Sequence, residues 1–287
     1  LDAGADLITT CTFSSQRISM ADYHVEEFCR EINLAAAKIA RALADEYTKA
    51  NPNKPRMVLG DIGPTNKTLS ISPDVNDPAL RAVTFDEMAE AYAEQIDALI
   101  DGGVDALLVE TIFDTLNAKA AIYAAEKVMD AKGVRIPLML SLTVSDSAGR
   151  TLSGQTIEAF LASIQHAGVF SVGLNCSFGA RQLKPFLRVM AEKAPCYISV
   201  HPNAGLPNSL GQYDQTPAEM AEQIKEFVDE GLVNIIGGCC GTTDESIAKY
   251  SSLIENAQPH VPASRPKNLW LSGLELLELT PELRFVN

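Results

Sequence analysis

The chain has 287 residues, 46% of them apolar, and no apolar run approaching the roughly 18 residues that a membrane-spanning helix needs. A formal charge of −14 argues against nucleic-acid backbones and anionic membrane surfaces as partners, because both repel it. Six cysteines over this length do not make the dense pattern of a small secreted scaffold, so a reducing, cytoplasmic setting is expected.

The opening residues LDAGAD read as the end of a helix feeding a strand at about 6–12. The stretch VEEFCREINLAAAKIARALADEY repeats its apolar residues at three and four, predicting an amphipathic helix, and a strand follows at 56–61. TFDEMAEAYAEQIDALIDGG predicts a second long helix closed by glycine, leading into a strand at 104–110. Further strands are predicted at 136–144, 170–176, 195–201 and 233–238, with helical patterns between them. From about residue 260 the chain is proline-rich and lacks sustained periodicity. Residues 1–259 therefore read as one domain and 260–287 as a linker.

Strand and helix in strict alternation imply an α/β fold with a parallel sheet, either open and doubly wound or closed as an eight-stranded (β/α)8 TIM-type barrel. Three copies of one pattern, DAGADLITT, DGGVDALLVE and DEGLVNIIGG, end a helix on glycine and enter a buried strand, as barrel units do. Seven strands leave the barrel one short, and strand 1 is expected before Leu1, lost by N-terminal truncation.

Barrel active sites form at the C-terminal ends of strands. Cys176 ends the strand FSVGLNC, and Cys239 and Cys240 follow the last strand in VNIIGGCCGT, so a closed barrel brings three thiols to its mouth. Zinc favours tetrahedral sulfur and nitrogen ligands, and three protein ligands with an open fourth position mark a catalytic site. Two other readings stay open: buried cysteines acting as small hydrophobes, and a strained vicinal disulfide between Cys239 and Cys240. Cys29, Cys196 and Cys11 read as structural, Cys11 as a neighbour of the site. His166 and His201 are passed over as ligands.

GLNC and GGCCGT resemble the homocysteine S-methyltransferase family. GPTNKTLSISPDVNDP, ETIFDTLNAKAA, GRTLSGQT and HPNAGLPN are more narrowly similar to the N-terminal homocysteine-binding domain of cobalamin-dependent methionine synthases. The resemblance runs through nearly all of the chain. It implies zinc on Cys176, Cys239 and Cys240, with L-homocysteine bound as thiolate. The methyl group would come from methylcobalamin on a separate domain of a longer chain that also carries a pterin-binding domain, giving methionine in the 5-methyltetrahydrofolate–homocysteine type of methyl transfer. It further implies Glu110, at the end of VDALLVE, as acceptor for the substrate ammonium. From its place after a strand end, the loop at Asn203, Ala204 and Gly205 could cradle the substrate carboxylate, with the Asn203 amide oxygen filling the fourth zinc position before substrate arrives, or it is a plain Pro-Asn-Gly turn.

The sequence departs from the family in lacking a DG(A/G)MGT segment on strand 1 and in placing Cys11 where the family has asparagine. The first departure would leave two unpaired sheet edges. Two alternatives remain: a stand-alone methyltransferase using a small sulfonium or ammonium donor, and a fragment whose zinc is only structural.

Overall fold

The structure, a computed structural model, describes residues 1–255 and 257–283. Each of the seven apolar runs becomes a strand of one sheet: β1 (Leu7–Thr9), β2 (Met57–Ile62), β3 (Ala106–Ile112), β4 (Leu138–Leu142), β5 (Ser171–Gly179), β6 (Tyr197–Asn203) and β7 (Ile235–Ile236). They lie in chain order and every pairing is parallel. The crossovers are helical: α1 (Arg17–Met20) and α2 (Cys29–Ala50), then α3 (Phe85–Asp101), α4 (Thr115–Lys132), α5 (Ile157–Ile164), α6 (Ala180–Lys193) and α7 (Pro217–Asp229), with α8 (Asp244–Leu253) after β7.

Local chemistry sets these boundaries. Thr84 and Glu87 form a reciprocal capping box at the start of α3, and Thr216 and Glu219 do the same for α7. In the three repeated segments Gly4, Gly103 and Gly231 all have positive φ, the left-handed turn that a side chain would strain. Two of the repeats also tie the sheet at its base, because Asp105 accepts the Val58 amide at 2.7 Å and Asn234 that of Ile198 at 2.9 Å.

The sheet is curled. Leu59, Ala106, Leu108 and Met139 from β2, β3 and β4 cluster with Leu7 from β1 and Ile235 from β7. In a flat sheet the two edge strands would stand six spacings, about 29 Å, apart, too far to share one small cluster. The larger core lies between the opposite face of the sheet and the helices. β1 and β7 do not pair, so the architecture is a partial barrel of seven strands, as the sequence predicts in number and order. Register places Asp61, Ser141, Ser171, Gly173 and Ser199 on the concave face.

The stretch predicted as linker carries an antiparallel hairpin, β8 (Leu269–Ser272) and β9 (Leu276–Leu279), seated against α5. Ser272 Oγ donates to Ala159 O at 2.7 Å, and the Thr156 amide at the head of α5 donates to Leu274 O at 3.0 Å. Its four-residue strands pair with each other, and their packing partner lies more than a hundred residues away, so no local periodicity announces them. No helix among the described residues is long and apolar enough to cross a membrane.

Candidate metal centre

The three predicted cysteines meet. Their sulfur atoms all lie within 4.8 Å of one another, with Cys176 to Cys240 at 3.8 Å and Cys239 to Cys240 at 3.9 Å. Three sulfurs on a tetrahedral ion at a bond length of about 2.3 Å stand about 3.8 Å apart, so the spacing suits one metal ion. A disulfide needs about 2.05 Å, and all six cysteines are free, so the vicinal disulfide is not formed. No fourth His, Cys, Asp or Glu joins the group among the described residues, and Cys11, exposed after β1, lies outside it.

The backbone is bent to bring these thiols together. Cys176 and Ser177 both have positive φ, 61° and 58°, at an irregularity in β5, where the pairing with β6 shifts register between Asn175 and Gly179. Gly241, at φ 78°, turns the chain after the cysteine pair. The end of β6 grips the same loop. The Cys240 amide donates to Asn203 Oδ1 at 3.1 Å, the Ala204 amide to Cys240 O at 2.9 Å, and the Cys239 amide to Pro202 O at 2.9 Å.

Cys176 ionises early, its pKa brought down to about 5, chiefly because the Cys239 thiol donates to its sulfur; burial opposes this. Cys239 is pushed up for the reciprocal reason. A thiolate beside a thiol that has yet to ionise is the state from which a divalent cation displaces a proton.

Glu110 stands at the end of β3, half-buried, where burial raises its pKa most and the charge of Cys176 adds to the effect. Its neighbour is Asp61 of β2, which the sequence places at the end of the strand at 56–61 with no role of its own. Burial first, and the Glu110 carboxylate second, push Asp61 up to about 9, while the bond with Asp61 holds Glu110 lower. Asp61 therefore carries the proton of the pair and Glu110 the charge. Asp61 Oδ1 is buried without a hydrogen-bond partner.

Asn203 holds the cysteine loop as described. The amides of Ala204 and Gly205 are engaged within the loop, the latter with Asn203 O at 2.8 Å, so an incoming carboxylate meets donors that already have acceptors. Tyr213, also missed by sequence reading, packs against Gly241, and its hydroxyl is raised by burial and then by a hydrogen bond with Cys240. Cys29 and Cys196 sit outside the cluster with pKa values pushed by burial to about 11. His201, on β6, is driven down to about 4 by burial, so it is neutral at pH 7.

The segment GPTNKTLS is stapled to the start of α4: Ser70 N and Oγ donate to Asp114 at 2.8 and 2.7 Å, and Leu69 N to Asn117 Oδ1 at 2.9 Å. Pro64 and Asp114 line a small cleft beside Glu110, so this loop walls the site.

Among solved structures, the metallated form of the homocysteine methyltransferase MmuM from Escherichia coli is similar over 88% of this chain and 80% of its own, with a TM-score of 0.68 at 21% identity. The apo form of the same protein gives a TM-score of 0.62 at 20% identity, again over 88% of this chain and 81% of that one. At such identity the likeness speaks for the fold. The family model for homocysteine S-methyltransferases matches residues 1–254, nearly all of the sheet and its helices together with the cysteine cluster, and the chain belongs to that family.

Proposed function

We propose that this chain is the homocysteine-activating barrel of a cobalamin-dependent methionine synthase, holding zinc on Cys176, Cys239 and Cys240. The observation that carries the reading is the set of three free thiols at strand ends, spaced as tetrahedral ligands with no fourth acid, thiol or imidazole joining them among the described residues. Zinc bound there would supply a Lewis acid that lowers the pKa of a substrate thiol, from an ordinary value near about 8.5, so that sulfur is a thiolate at neutral pH.

The chain's own residues orient the substrate. Glu110, kept charged by the proton on Asp61, accepts the homocysteine ammonium. Asn203 fixes the cysteine loop through the Cys240 amide, and with Ala204 and Gly205 it forms the wall towards which the substrate carboxylate lies. The sulfur then forms the new S–C bond while the donor departs with the electron pair of the bond that breaks. The long strings GPTNKTLSISPDVNDP and ETIFDTLNAKAA favour methylcobalamin, presented by another domain, over a small sulfonium donor. The gap between β1 and β7 is one strand short of a closed TIM-type barrel, and we read it as the place of an eighth strand.

Zinc K-edge X-ray absorption with and without L-homocysteine tests this reading. Three sulfurs and one lighter atom becoming four sulfurs on addition of substrate is the expected result. Four sulfurs beforehand, or no change, would make the site structural.

A further inference from the structure

β3 and β5 are not neighbours, yet their ends are joined. Asn175, almost fully buried just before Cys176, reaches across the end of β4 to Thr111, the residue after Glu110. Its Oδ1 accepts the Thr111 amide at 3.0 Å and the Ser141 hydroxyl at 2.7 Å, and its Nδ2 donates to Thr111 Oγ1 at 2.8 Å. Its main-chain carbonyl accepts the Thr143 hydroxyl at 3.0 Å. Every polar atom of this side chain is therefore used, and two of its three bonds go to one residue.

Thr111 needs holding. Its φ is 56°, a left-handed conformation that strains a β-branched residue. It sits at an irregularity in the β3–β4 pairing, between Val109 and Ile112, while Cys176 begins the matching irregularity in β5, with a φ of 61°. Two bulged strand ends, one presenting Glu110 and the other Cys176, are thus locked to each other by a single amide side chain.

We propose that Asn175 is a positioning residue that sets the carboxylate of Glu110 against the metal site, by clamping Thr111 in its left-handed conformation. The distance between the place for the substrate's ammonium and the place for its sulfur is fixed by this clamp, so Asn175 selects a thiol that carries an amino group at the right reach. The inference rests on Glu110 being the ammonium acceptor.

The test compares the zinc-loaded 287-residue chain and its variants by calorimetric titration with L-homocysteine and with its des-amino analogue, and zinc content is read by a chelating dye. Glu110→Gln serves as the reference for loss of ammonium recognition. Asn175→Ala is expected to keep its zinc and to weaken L-homocysteine by about ten-fold or more, the value of a charged hydrogen bond. Binding of the des-amino thiol should be unchanged, so that the preference between the two falls as it does in Glu110→Gln. Should Asn175→Ala not fold or not retain zinc, Thr111→Val decides, because it removes only the hydroxyl that Nδ2 grips and should lower the same preference by a smaller factor. Equal weakening of both thiols, or an unaltered preference, overturns the proposal. If Glu110→Gln itself leaves the preference intact, the ammonium reading fails, visibly and independently of Asn175, and this inference falls with it.

Discussion

Asp61 and Glu110 show how much a concave, half-dry surface changes the chemistry of ordinary acids. On β2 and β3 their side chains point to the same interior, and only one of them ionises at neutral pH. The consequence for stability has a definite sign. Asp61 binds its proton more tightly in the fold than in the unfolded chain, so between about pH 4 and pH 9 the unfolded state holds fewer protons and stability falls as pH rises. The slope is at most about 1.4 kcal/mol per pH unit. Asp61→Asn, of the same shape and still able to donate to Glu110, should flatten that slope and raise the melting temperature at pH 8. Melting curves at pH 5, 7 and 9 check this, and an unchanged slope would mean that Asp61 is charged in the fold.

Such a residue is hard to find from sequence. In GDIGPT the glycines and the proline read as turn chemistry, and nothing local says which face of the strand Asp61 occupies. That is settled by its register with Leu108 on β3. The cysteines were easier, because two adjacent thiols among glycines after an apolar strand are rare, and a third at another strand end has a reason to be there. Asn175 and Tyr213 stayed hidden for the opposite cause: each acts through partners more than twenty residues away.

The strands and helices were legible because parallel strands buried on both faces leave continuous apolar runs, and capping pairs punctuate the helices between them. Close contact between strands is less visible. Gly173 on β5 has room for no side chain: a Cβ there would stand 2.1 Å from Ser199 Oγ and 2.3 Å from Ser199 O on β6. The glycine of GLNC is thus a requirement of the pairing that delivers Cys176 to the mouth. Gly173→Ala should cost about 1–3 kcal/mol, the usual range for overpacking, read as a lower urea midpoint. Full stability in this variant would show that β5 and β6 can part without consequence.

The whole molecule is a curled sheet with an open seam, fastened outside by its own tail. Trp270, the only tryptophan, lies in the hairpin with its Nε1 buried, and Gln165 at the end of α5 donates to its carbonyl at 3.3 Å. Its fluorescence therefore reports on the tail alone, while far-UV circular dichroism reports on the barrel. The hairpin has four-residue strands and few buried groups, so the Trp270 emission should shift red at a lower urea concentration than the loss of helix. Coincident transitions would make tail and barrel one cooperative unit. The sequence could not reveal this docking, since the hairpin's partner, α5, is distant in the chain.

The same hairpin is also tied to the loop between β4 and α5. Arg150 pairs with Glu275, and Gln155 Nε2 donates to Gly273 O at 2.9 Å, while Ser153 of that loop donates to Phe113 O, just beyond β3, at 3.2 Å. Tail, loop and the strand end bearing Glu110 are thus strung together by one run of polar contacts, so the C-terminal segment is fastened at second hand to the rim of the barrel.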